Sequence, residues 1–287
     1  MASASRIHSA PSLEGGRGES PSLLEWDQAE SLLLPSRSLK SPSPTGEGLG
    51  VRPGGGGLPL LEVCTGSLYS VEQAVLGGAR RIELCRDLPL DGLTPDLTLI
   101  RTVRERFPDL RIHVLVRSVD GAFVYDDSAV KQMEREVREV VHAGADAVVV
   151  GALTADGDID LDATRRWIDA ANGRPVTFHR AFDRCRQPAE ALEQLIELGC
   201  TRILTSGQQP TAEAGIPLLR QLVTQSSGRI IILAGGGVNS TNARRILDAT
   251  GTTEIHGSAS RLQPDGRKET DADEVRAILQ TLSPIGI

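Results

Sequence analysis

The chain has 287 residues, with 31 basic and 38 acidic side chains and a net charge of −7. That balance, with no Lys/Arg-rich run, argues against nucleic acid and anionic membrane surfaces as partners, and no apolar stretch approaches the roughly 18 residues needed to span a bilayer. Four cysteines, Cys64, Cys85, Cys185 and Cys200, are too few for a disulfide framework in a chain this long, which points to the reducing cytoplasm.

Residues 1–57 are dominated by Ser, Pro and Gly, as in the runs Ser41 to Pro44 and Gly54 to Gly57. Such a composition buries too little apolar surface to offset its ordering entropy, so a disordered extension is expected. Only Leu23 to Leu34 carries enough apolar content for a short docking helix. No basic segment precedes a continuous apolar core, so a secretory signal is not expected.

Residues 58–287 read as one regular domain. Apolar runs fall at Leu60–Cys64, Arg81–Cys85, Ile112–Arg117, Ala147–Gly151, Val176–His179, Arg202–Thr205, Ile230–Ala234 and Glu254–His256. Their centres lie roughly 20 to 35 residues apart, the spacing of repeated βα units. Between them run helical patterns with recognisable ends. Ser70 is the expected cap of a helix stopping at Gly77, and Thr94 caps one that carries Leu97, Ile100, Val103 and Phe107 on one face. Asp127 or Ser128 opens the next, which Gly144 closes; Asp160 opens another, closed by Gly173. Pro188 to Gly199, Thr211 to about Ser226, Ser240 to Gly251 and Asp271 to Leu282 complete the set. Eight repeats with no Gly-rich dinucleotide loop after the first strand predict an α/β fold, a closed (β/α)8 TIM barrel rather than an open doubly wound sheet.

Alternate residues of a strand share a face. Glu62 and Cys64 in the first strand, and Glu83 and Cys85 in the second, therefore face one way, while Leu61, Val63, Ile82 and Leu84 face the helices. His113, Leu115 and Arg117, then Thr177 and His179, then Glu254 and His256, follow the same logic. Carboxylates inside a barrel cost several kcal/mol each unless paired, and the expected partner of Glu62 and Glu83 is Arg117. The cluster is either a structural ion-pair plug or a ligand pocket at the C-terminal rim. The many titratable groups at strand ends favour the pocket.

The rim adds Arg180 after the fifth strand, Thr205 and Ser206 after the sixth, and Gly235, Gly236 and Gly237 after the seventh. Glycines there turn backbone N–H groups toward an anion, and the loops after strands seven and eight are the usual phosphate site of such barrels. The competing reading of Gly235–Gly237 is a plain tight turn.

Leu-Glu-Val-Cys at 61–64, Arg-Ile-Glu-Leu-Cys at 81–85, Gly-Leu-Thr-Pro at 92–95, Val-Thr-Phe-His-Arg-Ala-Phe-Asp at 176–183, Arg-Ile-Leu-Thr-Ser-Gly at 202–207, Gly-Gly-Gly-Val at 235–238 and Glu-Ile-His-Gly-Ser-Ala at 254–259 together resemble the CutC family. The resemblance implies a cytoplasmic TIM-barrel protein of copper homeostasis, with copper(I) bound by cysteines. Where the family usually carries Arg-Pro-Arg-Gly-Gly-Asp-Phe, residues 117–123 read Arg-Ser-Val-Asp-Gly-Ala-Phe, and Ala234 stands where relatives usually have Pro.

Two functions are in play. Thiolates are soft ligands suited to copper(I), and Cys64 and Cys85 end neighbouring strands about 4.8 Å apart, so their sulfurs are expected to converge on one linear ion. The competing reading is a pair of ordinary buried cysteines, which is also the reading of Cys200. The alternative function is an enzyme acting on a small phosphorylated or carboxylated metabolite. Glu83 or His179 is then the general acid/base, Glu62, Arg117, Arg180, Thr205, Ser206 and His256 hold the ligand, and Gly235–Gly237 cradle a phosphate. The sequence does not specify a reaction, and it leaves homo-oligomerisation open.

Overall fold

Short runs with apolar residues at alternate positions suit strands that pack one face on helices, and eight of them pair here. The computed structural model describes residues 59–264 and 266–283; the expected disordered extension and the Leu23–Leu34 helix lie outside the described residues. The strands are β1 (Leu60–Thr65), β2 (Arg81–Leu84), β3 (Arg111–Leu115), β4 (Ala147–Val150), β5 (Val176–Phe178), β6 (Arg202–Thr205), β7 (Ile231–Gly235) and β8 (Glu254–Gly257). Each pairs in parallel with the next, and β8 returns to β1 through Leu60↔Glu254 and Glu62↔His256, which closes the barrel.

The helices are α1 (Leu68–Leu76), α2 (Leu97–Arg106), α3 (Asp127–His142), α4 (Leu161–Ala170), α5 (Pro188–Leu198), α6 (Ile216–Ser226), α7 (Ala243–Thr250) and α8 (Ala272–Leu282). In α3 the buried residues Val130, Met133, Val137 and Val140 form one stripe at helical spacing, which is what packs it on the sheet. Asp160 caps α4 and Asp271 caps α8, each through its side chain.

Several other starts differ from expectation. Ser67, not Ser70, caps α1, and Asp126, not Asp127 or Ser128, caps α3. The second helix begins after Asp96 because the Thr94 hydroxyl is engaged elsewhere, accepting from Arg117 N at 2.9 Å and donating to Glu136 at 2.7 Å. The sixth and seventh helices begin at Ile216 and Ala243 rather than Thr211 and Ser240. An antiparallel hairpin of β9 (Ser260–Leu262) and β10 (Lys268–Thr270), not anticipated, follows β8. Glu269 fastens it to the start of α1 by accepting from Ser67 Oγ and Ser70 Oγ at 2.7 and 2.6 Å.

The face assignment holds. Leu61, Val63, Ile82, Leu84, Ile112, Val114, Val148, Val150 and Ile255 belong to the apolar layer between barrel and helices. Inside, Cys64, Cys85, Leu115 and Val149 form a separate small apolar cluster, beside buried charged and polar groups that include Glu62, Arg81, Glu83, His113, Glu254 and His256.

Candidate functional site in the barrel

Because Glu62 precedes Cys64 by two residues, it lies one layer deeper on the same face, and it is fully buried. Its carboxylate meets Arg81 Nε at 2.9 Å, His113 Nδ1 at 2.7 Å and His256 Nδ1 at 3.0 Å. Arg81 also bonds Glu254, which Arg202 Nε meets at 2.9 Å. Burial works against a charge on Glu62, but His113, His256 and Arg81 hold its carboxyl well below the usual range. Glu254 is lowered likewise: Arg81 and Arg202 overcome its burial.

The expected pairing of Glu62 and Glu83 with Arg117 is not formed. Arg117 lies two residues beyond the end of β3, above the carboxylates, and its guanidinium donates to Leu90 O at 2.7 Å, Gly92 O at 2.9 Å and Gly121 O at 3.1 Å. The cation that neutralises Glu62 is Arg81. It shares the inward parity of Glu83 and Cys85, a signal that the sequence itself carries. Arg202, two residues before the inward Leu204, carried the same signal.

Toward the C-terminal end the chain of contacts continues. His256 Nε2 lies 3.8 Å from Glu83, Cys64 Sγ donates to Glu83 at 3.3 Å, and the sulfurs of Cys64 and Cys85 are 3.9 Å apart. Donor atoms of Cys64, Glu83 and His256 all fall within 4.8 Å of one another. Burial, and then the charge of Glu62, push the Glu83 carboxyl up. Burial opposes a charge on His256, yet Glu83, Cys64 and Glu62 outweigh it and raise its pKa well above the ordinary value. The hydrogen bond with Cys85, burial and the nearby Glu83 push the Cys64 thiol well up, so it is protonated.

Above these groups opens a cavity of about 310 Å³, whose lining includes Cys64, Glu83, Arg117, His179, Arg180 and His256. Six of the expected site residues therefore do converge. Cys85 lies behind Cys64, fully buried, and Glu62 forms the layer below. His179 is fixed at both ends: its Nδ1 accepts from Ala181 N at 3.1 Å, and Phe123 packs on its ring with centroids 4.9 Å apart. Gly151 makes room for it, since a Cβ there would fall 2.5 Å from Nδ1. Burial and the Arg117 charge depress His179 to a pKa of about 3.

Thr205 and Ser206 are placed beside the cavity but engaged within the chain. The Asp183 carboxylate accepts from the Thr205 hydroxyl, from Ser206 N and Oγ at 3.0 Å each, and from Gln208 N at 3.1 Å. Arg180 Nε donates to the same carboxylate at 2.8 Å. The Gly235–Gly237 turn is not part of the cavity lining; a Cβ on Gly236 would instead press on Ser206 at 3.1 Å. Cys200 and Cys185 are buried in the apolar layer, where burial raises each to about 12. Asp183, the acidic end of the 176–183 stretch, also lines the cavity, as do Phe123 and Arg184; Phe123 lies on the loop after β3 and Arg184 ends a short 3-10 turn after β5, where strand parity gives no guide.

A parallel (β/α)8 barrel with its titratable and sulfur-bearing groups gathered at the C-terminal ends of the strands defines a TIM-barrel protein with a polar interior site. The CutC family model matches residues 59–261, and the chain belongs to the CutC family. It is 52% identical over 199 residues to the family protein CutC of Bacteroides thetaiotaomicron, covering 69% of this chain and 80% of that one. It is 42% identical over 209 residues to the copper homeostasis protein cutC homolog of Mus musculus, covering 73% and 76%. The crystal structure of CutC from Streptococcus agalactiae superposes with a TM-score of 0.67 at 32% identity, covering 70% of this chain and 99% of that one. No helix among the described residues is long and apolar enough to cross a membrane.

Proposed function

We propose that this chain binds copper(I) through Cys64 and Cys85 and serves copper homeostasis in the cytoplasm. The observation that carries the reading is the pair of free sulfurs 3.9 Å apart, one of them lining an open cavity. With metal–thiolate bonds of about 2.3 Å, sulfurs at that separation subtend roughly 115° at a shared ion. This favours a bent site over the linear one first expected, with Glu83 or His256 on the open side. Two soft sulfurs suit copper(I) better than a hard cation. Loading must displace thiol protons, so affinity rises with pH.

The test is anaerobic competition against a copper(I) chelator. One equivalent is expected to bind, Cys64→Ser or Cys85→Ser to abolish tight binding, and Cys200→Ser to alter stability alone. Unchanged affinity in the Cys64/Cys85 double variant would end this reading. A second reading has its own support: a cavity of about 310 Å³ is far larger than one ion fills and lies at the lower end of small-molecule sites. On that reading the cavity holds a small anion.

A further inference from the structure

Three observations at the cavity mouth converge. His179 Nε2 is buried and has no hydrogen-bond partner among the described residues, although the ring lines the cavity. Since Nδ1 accepts from Ala181 N, the neutral ring carries its proton on Nε2, which makes that atom a donor only. Arg117 is 3% exposed and, among the described residues, is bonded to carbonyl oxygens rather than to a carboxylate. A buried guanidinium without a counter-charge is costly, and a bound anion relieves it. Arg184 is exposed at the same mouth and meets no carboxylate among the described residues; its guanidinium lies 5.3 Å over the Phe123 ring. Arg117 lies over that ring at the same distance, and His179 also packs on it. The donor and both cations are thus grouped about one aromatic side chain.

We infer that the cavity mouth is a binding site for small 2-oxo or 2-hydroxy carboxylates, with Arg184 and Arg117 facing the carboxylate and His179 Nε2 donating to the neighbouring uncharged oxygen. It rests on the second reading above. A phosphorylated ligand fits less well. The hydroxyls and N–H groups after β6 are already engaged by Asp183, and the glycine turn after β7 does not line the cavity. A planar carboxylate matches a guanidinium fork, and a neutral donor matches a carbonyl or hydroxyl oxygen. Asp91 and Asp183 are the acidic side chains of the rim. The second is held by Arg180, and the first is exposed.

Titration calorimetry of the full chain with pyruvate, lactate and inorganic phosphate tests this. Pyruvate or lactate is expected to bind at least about tenfold more tightly than phosphate. His179→Asn keeps an oxygen where Nδ1 caps Ala181 but removes the Nε2 donor; it should weaken binding about tenfold or more. His179→Gln, whose amide nitrogen can stand in for Nε2–H, should retain most of the affinity. Arg184→Gln, an exposed change that leaves the fold intact, should weaken pyruvate binding several-fold and decides the matter if the histidine variants fail to fold. Binding of none of the three anions overturns both the second reading and this inference. Preference for phosphate, or carboxylate binding that Arg184→Gln and His179→Asn leave unchanged, overturns this inference while the cavity stands as an anion site. Repeating the titration in the Cys64/Cys85 double variant separates the result from copper.

Discussion

A single imidazole illustrates how position sets chemistry in this barrel. His179 and His256 both sit at strand ends and are nearly buried, yet their pKa values move in opposite directions. His256 has two carboxylates beside it and is held protonated. His179 faces Arg117 and is kept neutral, with a pKa of about 3. The unfolded chain takes up a proton at His179 as pH falls below its ordinary value, and the folded chain does not. Its stabilising contribution is therefore present above about pH 6.5 and lost progressively as pH falls toward 3. His256, with a raised pKa, contributes stability below about pH 6.5 that is lost as pH rises through its folded value. Urea unfolding between about pH 7.5 and pH 5 is expected to show an acid loss that His179→Asn reduces by about 2 kcal/mol. An identical acid limb in the variant would show that His179 is not the buried neutral group described.

At the scale of elements, the helix starts decide more than their small shifts suggest. Asp126 and Asp127 are neighbours, but only Asp126 accepts from the helix, through Ala129 N at 2.8 Å. Asp127 is an exposed partner of Lys131 and Arg166, an arrangement of small net worth. Asp126→Ala is expected to cost about 1 kcal/mol, and Asp127→Ala to shift the urea midpoint less; the reverse order would reassign the cap.

The same elements show what was legible in the residues. The eight strands could be read because each carries buried apolar residues on the face toward the helices, and the inward faces followed from parity at Glu62, Cys64, Glu83 and Cys85. Cap positions could not be fixed where several capping residues stand in a row, as at Asp126, Asp127 and Ser128. The β9–β10 hairpin lacks alternating apolar residues, since Leu262 is exposed and the pairing is fixed through Glu269 and Thr270. The Arg117 pairing failed for a different reason: parity says which face a side chain takes but not its height along the barrel axis.

Across the whole molecule, that height separates two halves of the interior. In the lower half, Glu62 on β1, Arg81 on β2, His113 on β3, Arg202 on β6 and both Glu254 and His256 on β8 are linked by ion pairs, spanning the seam where β8 meets β1. In the upper half, the Glu83 carboxyl meets a thiol and, at 3.8 Å, His256, and it opens on the cavity. Glu62→Gln removes the charge on which Arg81, His113 and His256 converge, and breaking such a buried arrangement on one side costs about 3–5 kcal/mol. Burial raises the Glu83 carboxyl above its ordinary value, so less is lost with its charge than at Glu62, and its amide replacement, close to it in shape, should cost under about 1 kcal/mol. It should nonetheless change copper(I) affinity, because the carboxyl stands 3.3 Å from Cys64 Sγ. Urea midpoints at constant m-value give the comparison. Equal and large losses for both variants would mean that the interior is one continuous structural plug. A large loss at Glu62 alone, with altered metal affinity at Glu83, is the outcome expected of a barrel whose floor holds the fold and whose mouth is free to bind.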